Sequence, residues 1–99
     1  MNGKEIIELF KSGVEEGRTS GQGNLKIKGT LLVHYNTSIA ERNQNHLILN
    51  MTRYSIITCR IQNDIRNAFK DTQITIITGV IQGYDGLLSE YSGVINGKV

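Results

Sequence analysis

The apolar residues of this chain follow two different periods, and no other feature of the sequence restricts the fold as much. Ile6 and Phe10 recur at the spacing of an amphipathic helix, as Ile61 and Ile65 do further along. Between these segments, apolar and polar residues alternate over residues 25–35, which is the period of a half-buried strand. A chain that mixes the two periods is α+β. We predict a small antiparallel sheet of about four to five strands packed against two or three helices, with the helices on one side.

Turn and cap residues place the boundaries of these elements. The first helix is predicted to begin after Asn2, with Glu5 completing a capping box, and to end at Gly17, where a loop over residues 17–24 follows. The predicted strands cover residues 25–35 with a break near Gly29, 38–42, 46–51, 54–57 and 73–82, the last of them central. Asn43-Gln44-Asn45 is predicted to form a hairpin turn. The second helix is predicted over Thr58–Lys70 with Thr58 as its N-cap, a short helix over residues 87–95 closes the fold, and residues 96–99 fray.

Length and charge narrow the class of protein. The 99 residues are expected to form one domain over residues 1–99, and a hydrophobic fraction of 38% is typical of a folded chain. Eleven Lys and Arg residues against nine Asp and Glu residues give a net charge of +2, too balanced for a dedicated nucleic-acid coat protein. We expect no membrane segment, because no long apolar run is present. A lone cysteine and an N-terminus without the apolar region of a signal peptide favour the cytoplasm.

Residue types that carry catalysis or bind metals are sparse. The candidate metal ligands are His34, His46 and Cys59, with no close pair among them. The two histidines could face each other across paired strands, but the favoured interpretation is two partly exposed strand histidines. Cys59 beside Arg60 at the start of a helix would have a lowered thiol pKa, although a small buried helical cysteine is the common alternative. We expect no enzyme activity, no metal and no cofactor.

The outer face of the second helix is the candidate binding surface. The polar side chains predicted on this exposed face are Arg60, Gln62, Asn63, Arg66, Asn67 and Lys70. The predicted partner-binding residues, which include two residues just before the helix, are Arg53, Tyr54, Arg60, Asn63, Arg66 and Asn67. Such side chains suit base edges and phosphates, and arginine and tyrosine also anchor protein interfaces. A plain solvated helix face is the third interpretation.

A longer stretch around this surface resembles a known family. Tyr35-Asn36-Thr37-Ser38-Ile39-Ala40-Glu41-Arg42 is followed by Leu49-Asn50 and then by Arg53-Tyr54-Ser55-Ile56-Ile57-Thr58-Cys59-Arg60-Ile61-Gln62. This pattern resembles a family of small uncharacterised proteins of phages and plasmids, in which a Tyr-x-Thr-Pro-Ile-Ala-like strand precedes a Tyr-Ser-x-Thr-Thr-Ser-like motif. Ser38, Ile57 and Cys59 depart from the family pattern. The resemblance implies a mobile-element source and a hairpin that leads into a helix.

These observations give a functional hypothesis with open alternatives. We expect a non-enzymatic binding protein of a phage or mobile element that inhibits a bacterial defence complex by protein–protein contact, as anti-CRISPR proteins do. The alternatives are a nucleic-acid-binding accessory protein with weak affinity and a sponge that sequesters a nucleotide signal. A homodimer is compatible with each of them.

Overall fold

A mixed β-sheet and two α-helices make up the fold of this computed structural model. The structure describes residues 2–19 and 24–91, together with the backbone of residues 95–98. In chain order, the elements are α1 (Gly3–Lys11), β1 (Glu16–Arg18), β2 (Leu25–Lys28), β3 (Leu31–His34), β4 (Thr37–Asn43), β5 (His46–Asn50), α2 (Ile56–Ala68), β6 (Gln73–Ile77), a short 3-10 helix η1 (Leu88–Glu90) and β7 (Ile95–Lys98). The α+β class is confirmed.

The strands lie side by side in the order in which they occur along the chain, from β1 to β7. Neighbouring strands are antiparallel, except that β5 and β6 are parallel, with His46 opposite Gln73 and Asn50 opposite Ile77. The prediction of a purely antiparallel sheet of four to five strands is therefore wrong in two respects. Helix α2 returns the chain to the starting end of β5, which makes the next strand parallel. The three residues of β1 are too few to show a period.

The first helix is confirmed, but it ends earlier than predicted. Asn2 and Glu5 exchange the two hydrogen bonds of a capping box, each 2.9 Å long. The helix ends at Lys11, because Gly13 adopts a φ of +102° that no right-handed helix contains. Gly17, the predicted end, lies instead in β1.

The second helix begins two residues before its predicted start. Ser55 is the N-cap, and its Oγ accepts the Thr58 N–H at 3.1 Å. Thr58 is consequently a buried residue of the first turn, and Ile56 and Ile57 are helical. The predicted strand over residues 54–57 and the predicted Thr58 cap are both wrong, because a serine three residues ahead of Thr58 offers the same capping chemistry.

The predicted long strand over residues 73–82 is also shorter in the structure. Strand β6 ends at Ile77, and Gly79 has a φ of +77°. The central position belongs to β4, which is buried on both faces from Thr37 to Glu41. The predicted closing helix is reduced to η1, and Ile95–Lys98, predicted to fray or to be helical, forms β7 beside β6.

The core lies on both faces of the sheet. Helices α1 and α2 cover one face, as predicted. The buried apolar residues there are Ile6, Ile7, Phe10, Leu25, Ile27, Leu32, Ile39, Ala40, Leu47, Leu49, Ile65 and Phe69. A smaller cluster of Ile77, Val80 and Leu88 fills the opposite face. The segment 78–91, which has little regular structure, covers that second cluster.

Hydrogen bonds from the central strand hold the segment 78–91 against the sheet. The Ser38 N–H donates to the Tyr84 carbonyl oxygen at 2.7 Å. Glu41 is buried, and its carboxylate accepts the Ser89 N–H at 2.7 Å and the Ser89 hydroxyl at 3.1 Å. Irregular backbone packs stably on a sheet only when its polar groups find such partners.

Replacing the buried carboxylate tests this covering of the second face. We expect Glu41→Ala to lower the free energy of unfolding by about 2 kcal/mol, since two hydrogen bonds to a charged acceptor are lost. Urea denaturation measures the change. Glu90, the exposed residue next to Ser89, provides the control. Glu90→Ala should change the free energy of unfolding by no more than about 0.5 kcal/mol. An unchanged urea midpoint for Glu41→Ala would contradict the observed packing.

Candidate functional site

Three segments of the chain meet at one end of the sheet. They are the turn at residues 35–36, the first turn of α2 with the residues before it, and the segment that follows β6. His34 Nδ1 lies 3.2 Å from Thr58 Oγ1, which joins the turn to α2. Thr37 Oγ1 accepts the Gly83 N–H at 2.9 Å, which joins the same turn to the third segment. Side chains from distant parts of the sequence are therefore brought together here.

A buried pair of amide side chains fixes α2 to this end. Gln62 Nε2 donates to the backbone carbonyl oxygens of Asn50 at 2.7 Å and Thr52 at 2.9 Å. Asn50 Nδ2 donates to the Ser38 carbonyl oxygen at 3.0 Å, and its Oδ1 accepts the Thr52 N–H at 3.0 Å. Gln62 and Asn50 are almost fully buried, so the prediction that Gln62 lies on the exposed face of the second helix is wrong. The two amides thereby satisfy backbone groups at the point where the chain leaves β5.

Tyr54 extends this network to the segment that follows β6. Its hydroxyl donates to the Val80 carbonyl oxygen at 2.6 Å and accepts from Asn50 Nδ2 at 3.0 Å. Thr52 Oγ1 in turn accepts the Val80 N–H at 3.0 Å. Tyr54, which the sequence places among the partner-binding residues, is half-buried and has its hydroxyl occupied inside the fold.

The exposed large apolar side chains of the described residues all lie on these three segments. Tyr35 is 57% exposed, Ile56 82%, Ile57 64% and Ile81 68%. Isolated exposed apolar residues are ordinary on protein surfaces, but a concentration of them marks an interaction site. We call this the end surface, made of Tyr35, Arg53, Tyr54, Ile56, Ile57, Cys59, Arg60 and Ile81.

Tyr35 is held in an unusual backbone conformation. Its φ is +56°, a left-handed conformation that costs a bulky residue roughly 1–2 kcal/mol. The ring packs edge-on against His34, with 4.6 Å between the ring centroids, and the hydroxyl oxygen accepts from Asn24 Nδ2 at 3.1 Å. These contacts hold the exposed ring in one position, which lowers the entropy lost when a partner covers it.

Four of the six predicted binding residues lie at or beside the end surface. Arg53, Arg60 and Asn63 are exposed, and Asn63 Nδ2 is 3.8 Å from Cys59 Sγ. A shallow groove of about 350 Å³ opens at the start of α2. Its lining residues are Arg53, Tyr54, Ser55, Ile56 and Cys59.

The other two predicted residues lie elsewhere on α2. Arg66 borders a groove beside Ile74 and Ile76 of β6, whereas Asn67 borders a cleft beside Lys4 of α1. At a rise of 1.5 Å per residue, Arg66 is roughly 15 Å along the helix from its start. The six predicted residues therefore do not form one patch.

Sequence reasoning misses the apolar part of the surface. It places Ile56 and Ile57 in a strand, and Tyr35 and Ile81 in strands with one buried face. The signal that identifies the helix start is Ser55, whose side chain can cap Thr58. No signal in the sequence shows that these four side chains face solvent.

His34, which lies beneath the end surface, has a structural partner. Thr58 Oγ1 lies 3.2 Å from His34 Nδ1 and 3.0 Å from Ser55 Oγ, and Thr58 is buried. Burial lowers the pKa of His34, which is 5% exposed, below its ordinary value of 6.5. His34 is thus neutral at physiological pH. The hydroxyl groups of Ser55 and Thr58 belong to the N-terminal cap of α2.

Two interpretations of the candidate metal ligands need correction. His34 and His46 do not face each other, because β4 lies between β3 and β5, and His46 Nε2 is 2.6 Å from Thr75 Oγ1 instead. Cys59 lies in the first turn of α2 as predicted, but it is exposed, so the interpretation as a buried helical cysteine is wrong. Within residues 2–19 and 24–91, no three His, Cys, Asp or Glu side chains converge as metal ligands would.

Comparisons with known proteins returned no relatives. No family model, no curated protein and no solved structure matches this chain. The resemblance over Tyr35–Gln62 therefore stays a prediction. Neither α1 nor α2, the α-helices of the described part of the chain, is long and apolar enough to cross a membrane.

Removing the Gln62 amide tests the network beneath the end surface. We expect Gln62→Leu to lower the free energy of unfolding by about 2–4 kcal/mol, because two backbone carbonyl groups lose their donor. The exposed neighbour Asn63→Leu is the matched control and should change stability by no more than about 0.5 kcal/mol. Urea denaturation of both variants measures the difference. Equal urea midpoints for Gln62→Leu and Asn63→Leu would show that the network does not stabilise the fold.

The lowered pKa of His34 predicts how the stability of the fold depends on pH. Below pH 6.5 the unfolded chain binds a proton at this residue more readily than the folded protein, so stability falls as the pH drops below 6.5. An NMR titration of the His34 ring should give a midpoint below 6.5. In His34→Gln this part of the pH dependence should vanish. A midpoint at or above the ordinary value would contradict the prediction.

Proposed function

We propose that this protein is a non-enzymatic binding protein that docks on another protein through its end surface. The observation that carries the proposal is the concentration of Tyr35, Ile56, Ile57 and Ile81 at one end of the sheet, each more than half exposed. Aromatic and arginine side chains surrounded by apolar contacts are typical of the few residues that supply most binding energy. A rigid base of hydrogen bonds beneath the surface favours such binding, because little order remains to be gained.

A protein partner fits this surface better than a nucleic acid. Ile56 and Ile57 occupy the exposed start of α2, where a phosphate backbone would otherwise approach. The end surface contributes two arginines, Arg53 and Arg60, and the whole chain has a net charge of +2. Specific DNA binding depends on more phosphate contacts than these residues supply.

The proposal assigns no catalysis to the end surface. Its hydroxyl groups already have partners: Tyr54 contacts Val80 and Asn50, and the neighbouring Ser55 caps Thr58. Cys59 is exposed, and its Sγ lies 3.8 Å from Asn63 Nδ2, an amide that cannot act as a base.

The partner that we propose is a bacterial defence complex, which the protein inhibits as anti-CRISPR proteins do. Support comes from the resemblance of Tyr35–Gln62 to phage and plasmid proteins. That stretch contains three of the four exposed apolar side chains, namely Tyr35, Ile56 and Ile57. It also contains the buried amides Asn50 and Gln62, so the resembling segment includes both the surface and its support.

A phage-plating assay tests the proposed function. Bacteria that carry one CRISPR interference system each, together with this protein, are challenged with a targeted phage. We expect the protein to restore plating against at least one system, and Ile57→Asp to abolish the effect. The same variant should weaken binding to the purified complex at least ~10-fold, because an apolar anchor is replaced by a charge. Its thermal midpoint should stay close to that of the unmodified protein, since Ile57 is exposed.

The controls lie outside the end surface, Glu8 on α1 and Glu15 between α1 and β1. Glu8 and Glu15 are exposed and are not part of the end surface, so Glu8→Ala and Glu15→Ala should inhibit normally. Full inhibition by folded Ile57→Asp, or loss of inhibition in the glutamate variants, would place the interface elsewhere. A tight complex with one defined DNA sequence that resists salt would favour the nucleic-acid alternative instead.

A further inference from the structure

The charges beside the exposed apolar residues indicate what kind of partner fits them. Arg53 lines the groove at the start of α2, and the exposed Arg60 directly follows Cys59, which also lines it. The first turn of α2 contains no acidic residue. The acidic residues of the described segment 78–91 are Asp85 and Glu90, and both lie beyond the turn at Gly83. The rim of the end surface is therefore positively charged around an apolar centre.

The histidine below the surface does not alter this charge. His34 is buried against Thr58 and Tyr35, and its lowered pKa keeps it neutral at physiological pH. The positive charge of the rim thus comes from two guanidinium groups, which stay charged at any pH that the protein meets. Guanidinium groups bind carboxylates through paired hydrogen bonds, a geometry that lysine does not provide.

On the basis of the proposed function, we infer that the end surface binds an acidic segment of a partner protein, with an apolar side chain in the groove beside Ile56 and carboxylates on Arg53 and Arg60. Ile57, Tyr35 and Ile81 would exclude water around these contacts. Desolvated carboxylate–arginine pairs at the edge of an apolar centre set the specificity and the rate of association.

A second copy of this chain is a poorer occupant of the same surface. In a two-fold symmetric dimer the same patch meets itself. The two arginines of one copy would then approach those of the other, whereas the acidic residues of the described segment 78–91, Asp85 and Glu90, both lie beyond the turn at Gly83. Like charges placed opposite each other oppose association. The charge pattern thus favours an acidic partner over self-association.

A peptide selection tests the inference before any partner has been identified. A random linear peptide library displayed on phage is selected against the immobilised full chain, and binders are counter-screened on Ile57→Asp. We expect the peptides that require Ile57 to carry a net negative charge and at least one large apolar residue. Their affinity should fall at least ~10-fold in Arg53→Glu and in Arg60→Glu, and steeply with added salt.

Arg66 provides a matched control for charge. It is an exposed arginine on the same helix, but it lies beside β6 and outside the end surface. Arg66→Glu should therefore bind the selected peptides as well as the unmodified protein does. An equal loss in all three arginine variants would mean that only the net charge matters, and the inference would be wrong.

The remaining outcomes separate this inference from the proposed function. Peptides that require Ile57 but are neutral or basic would overturn the acidic partner and leave the docking surface intact. Peptides that bind Ile57→Asp and the unmodified protein equally would overturn both. Self-association that Ile57→Asp abolishes, measured by sedimentation velocity, would assign the surface to a second copy. Displacement of the selected peptides by duplex DNA would assign it to nucleic acid.

Discussion

The hydrogen bonds that Gln62 donates to the carbonyl oxygens of Asn50 and Thr52 are the constraint on which the rest of this end of the molecule depends. A chain that leaves a buried strand for a helix has backbone carbonyl groups that no ladder or helix satisfies. Here one buried amide from the helix itself supplies the donor. Asn50 in turn donates to the carbonyl oxygen of Ser38, which links the same network to β4. Helix α2 is therefore fixed in position by polar contacts as well as by the packing of Ile65. Because the helix is fixed, the exposed residues of its first turn are held in fixed positions as well.

Topology explains why three distant segments meet at the same end. Strand β5 finishes at Asn50, and because β6 is parallel to it, β6 finishes beside it at Ile77. Strand β4 is antiparallel to β5, so it begins at this end, directly after the turn that contains Tyr35. Helix α2 must start here as well, since it carries the chain back to where β6 begins. The parallel pairing of β5 with β6 thus produces the end surface.

The sequence predicts the local elements better than their extent. The first helix, the break at Gly29 with its φ of +64° and the turn at Gln44 follow from cap and turn chemistry, which acts over a few residues. The limits of α2 and β6 do not follow from the same chemistry. Ser55 and Thr58 can each cap a helix, and the β-branched run continues through Val80 although the chain leaves the sheet after Ile77. Tertiary hydrogen bonds override local propensity at such points, for example the one that the Val80 N–H donates to Thr52 Oγ1.

The candidate site is also only partly predictable from the sequence. Its arginines are predictable, because charged side chains on the outer face of an amphipathic helix seldom become buried. Its apolar residues are not, since Ile57, Ile61 and Ile65 share one helical spacing and yet Ile57 is 64% exposed. Fully burying one such side chain contributes roughly 1.5–3 kcal/mol. The four side chains are already partly covered, so together they supply at most about 6–12 kcal/mol. That is comparable to the roughly 4–15 kcal/mol that association costs in lost freedom of motion. Under the proposed function, the apolar centre alone would therefore bind weakly and without selectivity, and the two arginines at its rim would decide which partner is retained.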